Sequence, residues 1–294
     1  MDNPALLLWR KLRKRVAGRA WKARVREGRA VEDRAAELDG GPAPVVHVYS
    51  LCRNEAAMIP WFVAHYSAFA ERIVVYDNGS TDGSPDLLSS YPNVTVRSFD
   101  TGGLFDEVAM TELRNRMWRE SRGLADFVVV CDMDEFLFHP RIRGLLAAMK
   151  EAGKTILQPV GAQMVSETFP AWRPGLRLTD LLRNGVLSVP GTRGWNRSKQ
   201  VLFAPDRVDM RFGYGSHRCR PRGTVDRHCS VRARLLHYDL VGRDRLFDKM
   251  RENRGRTDPR TSMRGLGWHY AMPEQMRLEQ FERLLRRARP VVRG

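Results

Sequence analysis

The feature that most constrains the fold is an alternation running from residue 45 to residue 131. Residues 45–51 form a β-rich run. Residues 59–70 carry apolar side chains at helical spacing, and Pro60 is compatible with a first helical turn. A strand at 73–77, a short helix at 84–91, a strand at 94–99, a longer helix at 106–122 and a continuous apolar strand at 126–131 complete the series. Strand and helix exchange repeatedly with short connections, which predicts a mostly parallel sheet flanked by helices on both faces. Uninterrupted apolar strands suit a sheet buried on both sides. The fold class is therefore α/β and Rossmann-like. Beyond residue 155 the pattern loosens. A strand at 155–160, a short helix at 179–184 closed by Gly185, and helices at 243–253 and 273–288 are expected. Residues 190–232 are rich in Gly, Pro and Arg and lack periodicity.

Three polar clusters punctuate the first half: Arg53-Asn54-Glu55, Asp77-Asn78-Gly79-Ser80-Thr81-Asp82, and Asp132-Met133-Asp134-Glu135. Each follows directly on an expected strand. Ligands of open parallel α/β sheets bind outside the carboxyl ends of the strands, so all three clusters would line one sheet edge. Asp132 and Asp134 are alternate residues and share a side of an extended segment, with Met133 turned into packing. Two carboxylates so placed make a hard oxygen site for Mg²⁺ or Mn²⁺, which could hold a diphosphate. A solvated acidic turn is the plainer alternative. It is weakened by the apolar residues that run into the pair and by Phe136-Leu137-Phe138 after it, because carboxylates in such a setting need partners. The 77–82 segment reads locally as a turn, yet Asp77 at a strand end could meet a nucleobase. Glu55 could be only a first-turn acid favoured by the helix dipole.

The chain of 294 residues carries a net charge of +16, which favours an anionic partner. No helix-turn-helix, zinc-finger or RNP pattern accompanies the charge, so nucleic acid is the weaker candidate. Ten Lys/Arg and only Asp2 and Glu27 as acids occupy the stretch up to Arg29, with apolar residues at roughly helical spacing. Residues 1–42 therefore read as a basic amphipathic helix and linker. It either anchors peripherally on an anionic membrane surface or packs on its own domain. Residues 43–140 would form the nucleotide-binding half and 141–294 the acceptor side. No apolar run is long enough to cross a membrane. Cys52, Cys131, Cys219 and Cys229 read as reduced thiols, which suits a cytoplasmic protein. His217, Cys219, His228 and Cys229 are zinc-ligand types, but their spacing is not that of a familiar finger.

Residues 74–84, Val-Val-Tyr-Asp-Asn-Gly-Ser-Thr-Asp-Gly-Ser, resemble the signature loop of family 2 glycosyltransferases. Arg53-Asn54-Glu55 resembles their Asn-Glu segment. Asp132-Met133-Asp134-Glu135-Phe136 resembles the DxDEF form of the DxD motif in the family 2-like and family 92-like group. The resemblance implies a GT-A fold, a nucleoside-diphosphate sugar donor, a divalent metal and an inverting mechanism. It implies that Asp77 contacts the base, that Asn54 and Glu55 shape the nucleotide pocket, and that Asp132 and Asp134 hold metal and ribose–diphosphate. His237, then His217, are the candidates for a further metal ligand. Lys199, with Arg193 and Arg197, would bind phosphate. The general base should be a carboxylate in the second half. Glu167 is the first choice, after the strand at 155–160, and Glu135 competes. The acceptor would be a glycan, a lipid-linked sugar or another hydroxyl compound. A glycosyltransferase-like binding module without catalysis is the rival reading, and the intact Asp132 and Asp134 oppose it.

Overall fold

The structure, a computed structural model, describes residues 19, 21–188 and 199–292. Residues 1–18, which hold most of the basic N-terminal stretch, and Arg193 and Arg197 lie outside the described residues. Residues 21–27 are helical, and α1 (Arg29–Glu37) follows. The alternating series then unfolds as expected: β1 (Val46–Cys52), α2 (Ile59–Tyr66), β2 (Arg72–Asp77), α3 (Ser84–Ser89), β3 (Val94–Ser98), α4 (Glu107–Arg114) and β4 (Phe127–Asp132). The longer helix expected at 106–122 is split, because α4 ends at Arg114 and a 3₁₀ turn at Met117–Ser121 leads into β4.

β4, β1, β2 and β3 lie side by side, all parallel. Alternate residues of β4 enter opposite cores. Phe127, Val129 and Cys131 pack with Trp61 and Phe62 of α2, while Val128 and Val130 pack with Trp118, Phe203 and Phe212. Burial on both faces is what the continuous apolar run required.

The second half extends the same sheet. It contains β5 (Glu135–Phe138), α5 (Ile142–Glu151), β6 (Ile156–Ser166), α6 (Leu178–Leu181), β7 (Asn184–Ser188), β8 (Leu202–Phe203), β9 (Val208–Asp209), β10 (Arg222–Gly223) and β11 (Arg227–Val241). It closes with α7 (Arg243–Arg254), α8 (Pro259–Met263), α9 (Trp268–Ala271), α10 (Glu274–Arg287) and β12 (Arg289–Pro290). β8 bridges β4 to β6 antiparallel, and β11 pairs parallel with β6 and antiparallel with β5.

Two expectations change here. Gly185 is not a helix cap but a residue of β7, opposite Met164 of β6. A Cβ at Gly185 would stand 2.7 Å from the Gln163 carbonyl oxygen, so close strand approach explains the glycine. β11 begins inside the segment read as irregular. Its arginines and its register shift between Cys229 and Arg234 mask the alternation of a strand.

α1 packs across α5. A Cβ on Gly144 would lie 2.1 Å from the Ala35 carbonyl oxygen, so the crossing depends on that glycine. Glu32 secures the contact, with its carboxylate against His139 Nε2 at 3.2 Å and His228 Nε2 at 3.1 Å. Both imidazoles are buried. No helix among the described residues is long and apolar enough to cross a membrane.

Candidate active site

The carboxyl ends of β1, β2 and β4 deliver the three polar clusters to one edge of the sheet, as their positions after the strands required. β4 ends at Asp132, a two-residue turn holds Met133 and Asp134, and β5 starts at Glu135. Met133 is buried in the core. Its neighbours turn toward a cleft of ≈ 250 Å³ lined by Glu55, Asp132, Asp134, Lys199, His237 and Lys249, among others. The Asp134 carbonyl accepts from the Tyr238 amide at 2.8 Å, which fixes the turn against β11.

Each carboxylate of the turn has its own cation. Asp132 Oδ1 accepts from Arg114 Nη2 at 2.9 Å, and Asp132 Oδ2 accepts from Lys199 Nζ at 3.1 Å. Lys199 Nζ also meets Glu135 at 2.6 Å, and the lysine side chain is 4% exposed. Asp134 Oδ2 accepts from Lys249 Nζ at 3.0 Å, and its Oδ1 faces His237 Nε2 at 3.5 Å. Burial would raise both aspartates, but the surrounding cations win and hold both below the usual carboxylate range. Lys199 and Arg114 dominate at Asp132, Lys249 and His237 at Asp134. Burial would lower His237, but Asp239 and Asp134 raise it to about 9. At neutral pH the imidazole is therefore a cation.

A second layer holds these groups in place. Lys249 also donates to Glu55, which accepts from Arg245 Nη2 at 2.6 Å. His237 Nδ1 lies 3.4 Å from Asp239 Oδ1, and Arg277 Nη2 lies 3.5 Å from the other oxygen of Asp239. Behind Asp132, Arg114 Nη1 donates to Glu107 Oε1 at 2.9 Å, and the same oxygen accepts the Gly215 amide at 2.7 Å. Gly215 and Ser216 both have positive φ, at 60° and 56°. That backbone turns sharply into the exposed His217, which lines the cleft.

The residues expected from the sequence separate into groups. Glu55, Asp132, Asp134, Lys199, His217 and His237 share the cleft, whereas Asn54, Asp77 and Glu167 do not line it. Asn54, at φ 50°, is a clamp: Nδ2 donates to Glu252 at 2.6 Å and Oδ1 accepts from the Thr81 amide at 2.8 Å. Asp77 accepts from the Ser80 amide at 3.0 Å and from its hydroxyl at 2.5 Å, which is the local turn reading of that segment. Asn78, its neighbour, lines the cleft instead. Glu167 is exposed beyond the end of β6, where its carbonyl accepts from the Arg243 amide. It therefore gains no support as a base. The zinc reading also gains none. His228 is engaged by Glu32, and all four cysteines are free thiols.

A divalent ion needs unprotonated donors that converge. Among the described residues no three His, Cys, Asp or Glu side chains do so. Both aspartates face ammonium groups, Asp132 that of Lys199 and Asp134 that of Lys249. As arranged, the donor set does not fit a divalent ion.

Arg114, Asp239, Arg245, Lys249 and Arg277 were not singled out in the sequence. A usable signal existed. Residues 107, 110, 111 and 114 share one face of α4, so Glu107 and Arg114 lie on the stripe that holds Met110. Arg245 and Lys249 stand one turn apart beside Leu246 and Met250. Charges on an apolar stripe must pair in the interior. In β11 the alternation of Leu236, Tyr238 and Leu240 sends His237 and Asp239 to the other side.

Residues 50–203, more than half of the chain, match the family model "Glycosyl transferase family 2", and the chain belongs to that family. No curated protein matches it. Among solved structures, S. aureus TarS 1–349 is 11% identical over 72% of this chain and 65% of that one, with a TM-score of 0.38. The same fragment in complex with UDP gives 11% identity, 72% and 65% coverage and a TM-score of 0.40. GalNAc-T7 with UDP, GalNAc and Mn²⁺ gives 13% identity over 42% of this chain and 24% of that one, with a TM-score of 0.32. The family assignment rests on the sequence match, and the mostly parallel sheet flanked by helices is the GT-A-type architecture expected of it.

Proposed function

We propose that the protein transfers a sugar from a nucleoside-diphosphate sugar to a hydroxyl acceptor, with inversion at the anomeric carbon. The observation that carries this reading is the cation-lined carboxylate pair Asp132/Asp134 at the carboxyl edge of a parallel sheet, in a family 2 chain. Such an edge is where an α/β sheet receives a nucleotide. Lys199, Lys249 and protonated His237 suit the charge of a diphosphate. Asn78, after β2, would take the nucleoside end.

In the proposed transfer the acceptor hydroxyl oxygen forms a bond to the anomeric carbon. The bond from that carbon to the β-phosphate oxygen breaks, and its electron pair leaves with the phosphate. The acceptor proton passes to a carboxylate. Asp239 replaces Glu167 as the candidate base, because it lines the cleft and is ionised. Burial would raise it, but His237 and Arg277 hold it below the usual range. The divalent ion expected from the sequence enters no step of this transfer, and we also propose that the chain belongs to the DxDEF subgroup.

The test is turnover. Purified protein is incubated with UDP-, GDP- and TDP-sugars, and release of nucleoside diphosphate is followed. One donor class should be hydrolysed or transferred, and Asp134→Ala should lower the rate by about a hundredfold or more. Turnover of a donor that is unchanged in Asp134→Ala would remove the assignment of the site.

A further inference from the structure

The sequence leads one to expect a divalent ion on Asp132 and Asp134, yet the side chains that meet them are cations, an amine on each. Lys199 is buried between Asp132 and Glu135, its side chain 4% exposed. Lys249, from α7, spans Asp134 and Glu55. Two independent elements, the segment before β8 and the helix after β11, therefore bring an ammonium to the same turn. A divalent ion bound to both aspartates would sit against two fixed positive charges or displace both lysines from their acids. An ammonium has three N–H donors. Lys199 and Lys249 each spend two on carboxylates, which leaves one on each, and both lysines line the cleft.

We infer that Lys199 and Lys249 take the place of a divalent ion, holding the donor diphosphate and meeting the charge that develops as it leaves. The inference rests on the proposed nucleotide-sugar function. Asp132, Asp134, Glu55 and Glu135 then act as positioning residues that aim the two amines. When the bond from the anomeric carbon to the β-phosphate oxygen breaks, the electron pair stays on that oxygen beside the ammonium groups. The acceptor proton goes to the base.

Calorimetry with UDP and GDP tests this. Wild-type protein in EDTA should bind one of them within about threefold of its affinity in Mn²⁺. Lys249→Met should weaken that nucleoside diphosphate about tenfold or more and leave the free nucleoside unaffected, while Lys249→Arg should recover part of the loss. The wild-type comparison needs no variant, so it stands even if a lysine substitution impairs folding. Binding that disappears in EDTA and returns with Mn²⁺ would overturn the inference and keep the glycosyltransferase reading. Unchanged diphosphate binding by Lys249→Met would overturn it as well. No binding of either nucleotide, with or without Mn²⁺, would sink both.

Discussion

Lys199 and Glu135 form the most buried ion pair at the site, with side chains 4% and 2% exposed. Removing the lysine leaves Glu135 in the interior without its ion-pair partner. We expect Lys199→Met to cost about 3 kcal/mol of stability, read by urea unfolding. A loss within error of zero would mean that Glu135 takes up a proton when the ammonium is gone. His237 gives a pH dependence. Its ordinary value of 6.5 is raised to about 9 in the folded protein. The proton is therefore bound more tightly in the native state. Its stabilisation is complete below pH about 6.5 and is lost as pH rises through about 9, a change of about 3 kcal/mol. Unfolding free energies across that window should decline in wild type and stay flatter in His237→Gln. Equal slopes would remove the imidazolium from the account. At this scale the sequence showed Asp132, Asp134, Lys199 and His237 and hid Arg114, Asp239 and Lys249. Asp132 and Asp134 stand out because they interrupt an apolar run, whereas Lys249 is one cation among 50 Lys and Arg, and its partner Glu55 is nearly two hundred residues away.

Among the elements, the series from β1 to β4 was legible because each strand is apolar and each connection short. β11 was not, since its long-range pairing with β5 and β6 is set by neighbours rather than by local pattern. The α1–α5 crossing was equally silent, because a glycine within a helical stretch does not announce what presses on it. That crossing yields a test. Gly144→Val adds atoms where the Ala35 carbonyl already leaves no room, and the strain should cost about 1–3 kcal/mol. Thermal melts should show the loss. An unchanged midpoint would mean that α1 can dock without close contact.

At the scale of the molecule, one sheet edge collects residues from both halves of the chain: Asp132 and Asp134 from the first, Lys199, His237, Asp239 and Lys249 from the second. In the proposed complex both halves, residues 43–140 and 141–294, touch the donor. The basic stretch before residue 19 supplies a separate prediction. Full-length protein should sediment with vesicles containing anionic lipid, and a variant lacking residues 1–18 should remain in the supernatant with an unchanged melting midpoint. Equal sedimentation of the two would remove the membrane proposal.

The central claim is that the cleft at the edge of β1, β2 and β4 binds a nucleotide by its diphosphate. A crystal structure of the protein soaked with the nucleoside diphosphate that binds most tightly tests it directly. The account predicts density in the cleft, with the diphosphate against Lys199 and Lys249 and the nucleoside toward Asn78. Density at any other place on the molecule, with the cleft side chains still closed on one another, would contradict it.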